Sequence, residues 1–488
     1  MSEKCIIHRN VRIPKSMITD KKVKEDLILK DGRSDHYSVR ETMTCYKVLT
    51  NNYIVPKSYG IRYIQENKLP HIDRQSSGES IVIRFKGSLR EQQIPIVEET
   101  MDVLLKEQGA TMNLYCGFGK TTCANMISCR ISLKTLVLVH TSALAEQWKD
   151  RISQFVEGSS IGLIRQNIFD IEGRTHVIAL MQSVCKRTYP EGAFDSFGLT
   201  IVDEAHHVCA SELSKCITKA GSKYRLGLSA TPYRKDGFTE LLFNSIGRIS
   251  SSVSRTNCTQ ELIVKTIHIS KGPSKIHQTR RGGKPSINMA RMISDLCEDN
   301  EIAEPRTRCI IQCIKNMLSE NRHIIILSDR REHLNMLSRL VEEEGISDYG
   351  FMVGGVKGED LAENSKCKVI FATYAFCSEG VDVPSLDTII LTTPRSDVIQ
   401  CVGRILRKYD DKETPTVVDF IDQAPVFKNQ YRKRQTYYKS LGGRIFNLNQ
   451  ELETIIRVKT SSKKRSKVDE NNDELDKGFL SNFNKKMN

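Results

Sequence analysis

From Leu89 to about Gly247 short apolar runs alternate with amphipathic stretches. Thr135-Leu136-Val137-Leu138-Val139, His176-Val177-Ile178-Ala179-Leu180, Leu199 to Val202 and Arg225-Leu226-Gly227-Leu228 each end in a polar loop. Runs of this length without apolar–polar alternation are those of strands buried on both faces, so the segment predicts a doubly wound parallel α/β domain. A second set follows: His323-Ile324-Ile325-Ile326-Leu327, Lys368-Val369-Ile370-Phe371-Ala372, Thr388-Ile389-Ile390-Leu391 and Thr416-Val417-Val418-Asp419-Phe420. It predicts a second parallel-sheet domain. Between the two sets, Lys271-Gly272-Pro273-Ser274 and Arg280-Arg281-Gly282-Gly283-Lys284-Pro285 are basic and rich in helix and strand breakers, as an interdomain connection is. The N-terminal stretch lacks this alternation; Tyr53-Ile54-Val55-Pro56 reads as a strand or extended segment. The predicted organisation is a small accessory domain over 1–80, an α/β domain over 81–265, a basic linker over 266–308, a second α/β domain over 309–445, and a C-terminal extension over 446–488 ending in a charged, disordered tail.

Composition sharpens this picture in two places. The 488 residues, 39% of them hydrophobic, suffice for two or three independent cores, and no run approaches the roughly 20 apolar residues that cross a bilayer. Met1-Ser2-Glu3-Lys4 lacks a signal-peptide core, so the expectation is an intracellular protein, cytoplasmic or nuclear, or carried in a virion if the source is viral. Fifteen cysteines include no C-x-x-C pair, and Cys309 and Cys313 have the spacing of one buried helical face rather than of a zinc site. The formal charge of +14 includes only +2 from Ser461 to Asn488, which leaves +12 on the remainder of the chain and favours a polyanionic partner.

Two motifs carry chemistry. Cys116-Gly117-Phe118-Gly119-Lys120-Thr121, followed by Thr122, supplies small residues where a backbone closes around phosphates, a lysine for the β and γ charges, and the Thr121 hydroxyl for a metal ion. A helix opening at this point would turn its N-terminus toward the anion. Leu114 stands where the general phosphate-loop pattern has its first glycine, so only the second half matches strictly. Asp203-Glu204-Ala205-His206 follows the apolar run Phe197 to Val202, as carboxylates delivered to the edge of a buried strand would. Asp203 is expected to hold Mg²⁺, and Glu204 to polarise the attacking water. A glycine-rich turn that binds nothing, or a solvated acidic turn, would need neither flank.

Further motifs occur in a fixed order: Leu89-Arg90-Glu91-Gln92-Gln93, the phosphate loop, Val139 to Trp148, DEAH, Leu228-Ser229-Ala230-Thr231-Pro232, Phe371-Ala372-Thr373 with Ser378-Glu379-Gly380-Val381-Asp382, and Gln400 to Arg407. The set resembles superfamily-two helicases over roughly Ile54 to Leu441, most closely the XPB/UvsW-like branch and the DEAH helicases of nucleocytoplasmic large DNA viruses, among them the poxvirus transcript-release type. The resemblance implies two RecA-like domains with ATP and Mg²⁺ between them. It further implies adenine contacts at Arg90 and Gln93, γ-phosphate contacts from Gln400, Arg404 and Arg407, and a nucleotide contact at Gly380 and Asp382. Thr141, Gln182, Ser183 and Thr373 correspond to positions that touch a single strand through its backbone. Ser229 and Thr231 correspond to the link between hydrolysis and movement, a role that a simple strand-to-loop corner explains almost as well. The implied activity is that of an ATP-dependent DNA helicase or translocase acting in transcription termination and transcript release. Its implied partners are DNA, single-stranded or duplex, RNA or an RNA–DNA hybrid, and transcription machinery. A duplex translocase without net unwinding, or a nucleic-acid-binding scaffold with a decayed ATPase, are the competing readings.

Three features stay open at this level. Trp148, the only tryptophan, either stacks on a base or packs a core, the latter being the commoner fate of such a residue. Tyr431 to Lys439 mixes basic and aromatic residues at helical spacing, suited to nucleic acid or to packing. Lys463-Lys464-Arg465-Ser466-Lys467 reads as a nuclear address or as a solvated tail.

Overall fold

The computed structural model describes residues 3–30, 42–205, 214–231, 233, 238–253, 261–270, 273–281, 284–298, 300–301, 303–356, 358–380, 383–407 and 412–448. Its first large sheet has eight strands, in the order Ile168–Phe169, Ile161–Arg165, His176–Leu180, Thr135–Val139, Leu199–Val202, Tyr224–Ser229, Gly109–Leu114 and Ile249–Val253. All neighbours run parallel except the edge pair of Ile161–Arg165 with Ile168–Phe169. The unbroken apolar run at Thr135–Val139 has a physical reason. Val137 and Val139 enter one core with Phe118, Ile127 and Trp148, while Leu136 and Leu138 enter another, on the opposite face, with Phe197, Val202 and Leu242.

The second large sheet has seven parallel strands, in the order Tyr349–Met352, Val369–Thr373, Ile324–Ser328, Thr388–Leu391, Thr416–Ile421, Ile263–His268 and Arg444–Asn447. Ile325 and Leu327 again face one core, Ile324 and Ile326 the other. The architecture is thus α/β with two parallel sheets in tandem, preceded by a smaller sheet.

The linker expected over 266–308 differs from what is observed. Ile263–His268 pairs along its whole length with Thr416–Ile421, so the boundary expected at 265 falls inside a strand of the second sheet. Lys265 and Thr266 break the apolar signal of that strand. Both are nonetheless buried, the ammonium of Lys265 lying 3.4 Å from the Glu320 carboxylate. The stretch also supplies an antiparallel ribbon of Gln278–Arg281 with Lys284–Ile287, the helix Met289–Leu296, and the start of the helix Glu304–Ser319.

The N-terminal sheet has five strands, with the helices Asp20–Leu27 and Lys57–Glu66. It docks on the first large sheet through buried cations whose donors meet backbone carbonyls. Lys57 Nζ donates to Ser222 O and Lys223 O at 2.7 Å, and Arg225 donates across to Arg9 O at 2.9 Å while bonding Ser245 O of its own layer at 2.8 Å. Desolvation holds the Lys57 ammonium well below its ordinary pKa.

Cys309 and Cys313 are both buried on one face of the helix Glu304–Ser319. In the helix Pro425–Ser440, Phe427, Tyr431, Arg434 and Tyr438 pack inward and Arg434 grips Asp419 through two bonds of 2.8 Å, while Arg432, Lys433 and Lys439 stay exposed. Packing therefore accounts for the aromatic positions of that helix. The tail from 449 onward, with the basic run at Lys463, lies outside the described residues. Among those described, no helix is long and apolar enough to cross a membrane.

His176 generates a prediction. It is 1% exposed, its Nε2 lies 3.0 Å from Ser128 Oγ, and burial depresses its pKa from 6.5 to about 4. The folded pKa lies below the unfolded one, so its contribution is fully present above about pH 6.5 and is lost as the pH falls toward 4. Urea unfolding measured between pH 7.5 and 5 should show stability falling with acid, and His176→Gln should remove from that slope up to about 1.4 kcal/mol per pH unit.

Candidate active site

The strand Gly109–Leu114 ends at the sheet's C-terminal edge, and the chain turns through Tyr115–Gly119 into the helix Lys120–Ile131. The turn is possible because Gly117 and Gly119 take φ of +90° and +100°. Gly119 is required twice over, since a Cβ there would lie 2.4 Å from Gln93 Nε2 and 3.0 Å from an Arg90 guanidinium nitrogen. Those two side chains hold the loop: Gln93 Nε2 donates to Phe118 O at 2.9 Å, Arg90 donates to the same carbonyl, and Arg90 N–H donates to Gln93 Oε1 at 2.9 Å. Gln93 is 2% exposed and Arg90 is exposed, so one braces the loop from inside and the other borders solvent. Lys120 Nζ donates to Leu114 O at 3.3 Å. Thr121 and Thr122 lie half-buried in the first helical turn, and Cys116 lies half-buried in the loop.

The strand Leu199–Val202 delivers the acids. Asp203 N–H donates to Leu138 O at 3.0 Å, which continues the sheet pairing by one residue. Asp203 is 7% exposed; its Oδ1 accepts the Glu204 N–H at 2.9 Å, and its Oδ2 accepts the indole N–H of Trp148 at 2.9 Å. Burial and the neighbouring Glu204 charge raise the Asp203 pKa, opposed by the Trp148 N–H and the Lys120 charge. Glu204 turns the chain with φ +46°, a left-handed conformation uncommon for a side-chain-bearing residue and concentrated at functional sites. His206 lies outside the described residues. The donor set of Thr121 hydroxyl and Asp203 carboxylate is all hard oxygen, which fits a small divalent cation such as Mg²⁺.

The second sheet supplies the opposite wall. Gln400, on the helix Ile399–Ile405, donates to Glu204 Oε2 at 3.3 Å across the cleft. Gly403 is packed so closely that a Cβ on it would lie 2.9 Å from Cys116 Cβ. The Arg407 chain passes over the phosphate loop, its Cγ 3.4 Å from where a Gly117 Cβ would be. Arg404 behaves differently: it is 7% exposed and donates through Nε to Cys377 O at 3.2 Å and through a terminal nitrogen to Ser378 O. Its guanidinium thus clamps the helix Tyr374–Gly380 while adding charge to the cleft. Burial alone would raise the Cys116 thiol, but Arg404, Lys120 and Arg407 together bring it below its ordinary value.

The expected strand-contacting residues sit at the same edges. Val139 pairs with Leu180, so Thr141 and the Gln182–Ser183 segment emerge side by side from the first sheet, and Thr373 ends the corresponding strand of the second. Thr141 and Thr373 each accept a backbone N–H at 3.3 Å, from Leu144 and Phe376, which leaves each hydroxyl hydrogen available as a donor. Gln182 is exposed, and Ser183 Oγ accepts the Gln166 N–H at 3.0 Å. Ser229 is buried and its Oγ accepts the Thr231 N–H at 3.0 Å, forming the corner after the strand. Gly380 ends its helix, and Asp382 lies outside the described residues.

With this geometry in place, likeness to known proteins is specific. The L396 protein of Acanthamoeba polyphaga mimivirus, by its name a candidate ATP-dependent RNA helicase, is 30% identical over 442 residues, covering 88% of this chain and 83% of its own. The chain belongs to the superfamily-two helicases. This helicase also shares 27% identity with protein 161L of Invertebrate iridescent virus 6, named as a helicase, over 81% of the one chain and 88% of the other. Its residues 86–234 match the family described as Type III restriction enzyme, res subunit, a span holding the phosphate loop and the DEAH acids. The fold is that of S. cerevisiae Dbp5 bound to RNA and ADP BeF3, with a TM-score of 0.51 at 14% identity over 74% of the helicase and 92% of Dbp5.

Sequence reasoning missed two members of the site. Trp148 was legible only as a core residue or a stacking platform, and its bond to Asp203 depends on two strands meeting. Gly403 was legible as part of the Gln400–Arg407 pattern, whereas its role as the closest approach between the two walls needs both walls. Gly403→Ala should therefore leave nucleotide binding to the first sheet within about threefold while lowering turnover roughly tenfold or more, because the added methyl overlaps Cys116 and holds the walls apart. A nucleotide titration beside steady-state hydrolysis of the variant measures both.

Proposed function

We propose that the cleft hydrolyses ATP and that the two sheets, closing and reopening around it, move the protein along nucleic acid. The single observation carrying this reading is that the second wall reaches both parts of the first wall's site: Gln400 bonds Glu204, beside Asp203, and Arg407 passes over the loop that leads into Lys120. In this reading the loop backbone and Lys120 bind the phosphates, with Arg90 and Gln93 beside the base. A Mg²⁺ ion held by Thr121 and Asp203 would offset phosphate charge. Glu204, steadied by Gln400, orients the attacking water. Arg407 meets charge developing on the γ-phosphoryl group, and Arg404 contributes field and holds the neighbouring helix. Thr141, Gln182, Ser183 and Thr373 donate to phosphates of one strand, contacts that carry no base information and so permit sequence-tolerant movement.

The track we propose is DNA, on the resemblance of the ordered motifs to the XPB/UvsW-like and large-DNA-virus helicases; release of a transcript from its template is a use to which such movement is suited. RNA is the class named for the mimivirus relative. Hydrolysis measured with single-stranded DNA, duplex DNA and RNA separates the two, and absence of turnover with all three would reject the ATPase reading in favour of a binding scaffold. Protein displacement from duplex without strand separation would favour the duplex-translocase reading.

Lys120→Ala should abolish turnover by removing the charge aimed at the transferring phosphate, whereas Glu204→Gln should keep nucleotide binding and lower hydrolysis at least 10²-fold. Equal loss of binding in both would assign Glu204 a structural part. Arg407→Ala should lower stimulated kcat by about 10³-fold with ATP affinity nearly unchanged, since a contact made as charge develops lowers the barrier without tightening the ground state. Arg404→Ala should lower kcat and also reduce thermal stability, because Cys377 O and Ser378 O lose their donor. Calorimetric melting beside stimulated kcat distinguishes the two arginines.

A further inference from the structure

The helix Ser142–Phe155 starts at Thr141, on the edge expected to meet a nucleic-acid strand, and runs back beneath the sheet. Trp148 lies about 9 Å along it, 1% exposed, in a core with Leu144, Ala145 and Ile152. Besides filling this space Trp148 carries one polar atom, and its indole N–H donates to Asp203 Oδ2 at 2.9 Å while Glu204 N–H occupies Oδ1 at 2.9 Å. With one donor on each oxygen, the carboxylate cannot rotate without breaking a buried bond, so its remaining lone pairs keep a set direction. The same helix packs against Tyr374–Gly380 of the second sheet, the segment that Arg404 clamps. Trp148 therefore ties the acid to a helix that also touches the second wall.

We propose that Trp148 is a positioning residue: its indole N–H sets the direction in which Asp203 faces a divalent cation, and it ties that carboxylate to the helix that begins at Thr141. The proposal rests on reading the cleft as an ATPase. Because Trp148 is the only tryptophan, its fluorescence reports on this one contact.

The test uses the full chain. Trp148→Phe keeps the aromatic bulk and removes only the donor. Folding is checked by circular dichroism, and the Mg²⁺ concentration for half-maximal ATP hydrolysis should rise about tenfold, with turnover at saturating Mg²⁺ largely restored. In the wild type, titrating Mg²⁺ in the presence of ADP should shift the tryptophan emission, and Asp203→Ala should shift it without any nucleotide. An unchanged Mg²⁺ requirement in Trp148→Phe, or emission indifferent to both Mg²⁺ and Asp203→Ala, overturns the proposal; the emission arm decides it even if Trp148→Phe does not fold. Wild-type protein that hydrolyses no ATP overturns the ATPase reading and this proposal with it, whereas wild-type turnover with an unaltered Trp148→Phe overturns the proposal alone.

Discussion

The two large sheets approach each other so closely at Gly403 that no side chain fits there, a Cβ falling 2.9 Å from that of Cys116. The contacts that cross the cleft depend on that approach. Gln400 spans to Glu204, and Arg407 lies along Gly117, because the helix between them has no bulk at its nearest point. Chemistry that needs groups from two separate cores must bring those cores together without filling the space where the reacting groups sit. A glycine on one wall and a small thiol on the other meet that requirement.

Each wall is made rigid by other means. In the second sheet, Arg306 bonds Asp422 at 2.7 and 3.1 Å, and Asp419 accepts from Arg434 and from the Tyr438 hydroxyl, all of them buried. These pairs anchor two helices to the sheet in which Thr373 ends a strand. In the first, Gln93 and Arg90 tether the phosphate loop from outside the sheet, while Trp148 holds Asp203 from beneath. Such bracing places donors in advance of any reaction, which is where electrostatic catalysis gains most. Both walls crowd positive charge around the loop, enough to hold the half-buried Cys116 thiol low. A polyphosphate would be welcome in that field.

Much of this was legible in the chain. Three strands of the first sheet and one of the second have the limits read from their apolar runs, because a strand buried on both faces shows an uninterrupted signal. Ile263–His268 was not legible, since Lys265 and Thr266 interrupt it and only burial against Glu320 and the neighbouring strands shows why a lysine is tolerated there. The phosphate loop and the acid pair announced themselves because glycine, lysine and paired carboxylates at strand ends have few other uses.

What the sequence determined by itself is the set of local identities: which strands are two-faced, which loop carries Lys120, which acids end a strand, and which segment carries Gln400, Arg404 and Arg407. What only the tertiary structure decided is which of those groups meet. Arg404 lies in the helix Ile399–Ile405 and turns to the carbonyls of its own wall, whereas Arg407 lies just past the helix end at Leu406 and passes over the opposite loop, so the two share no helical face. Trp148 reaches Asp203 because the sheet sets the strand bearing Asp203 beside the one leading into its helix. Periodicity and side-chain chemistry act within one element and are written along the chain, whereas distances between elements arise only when several cores pack at once.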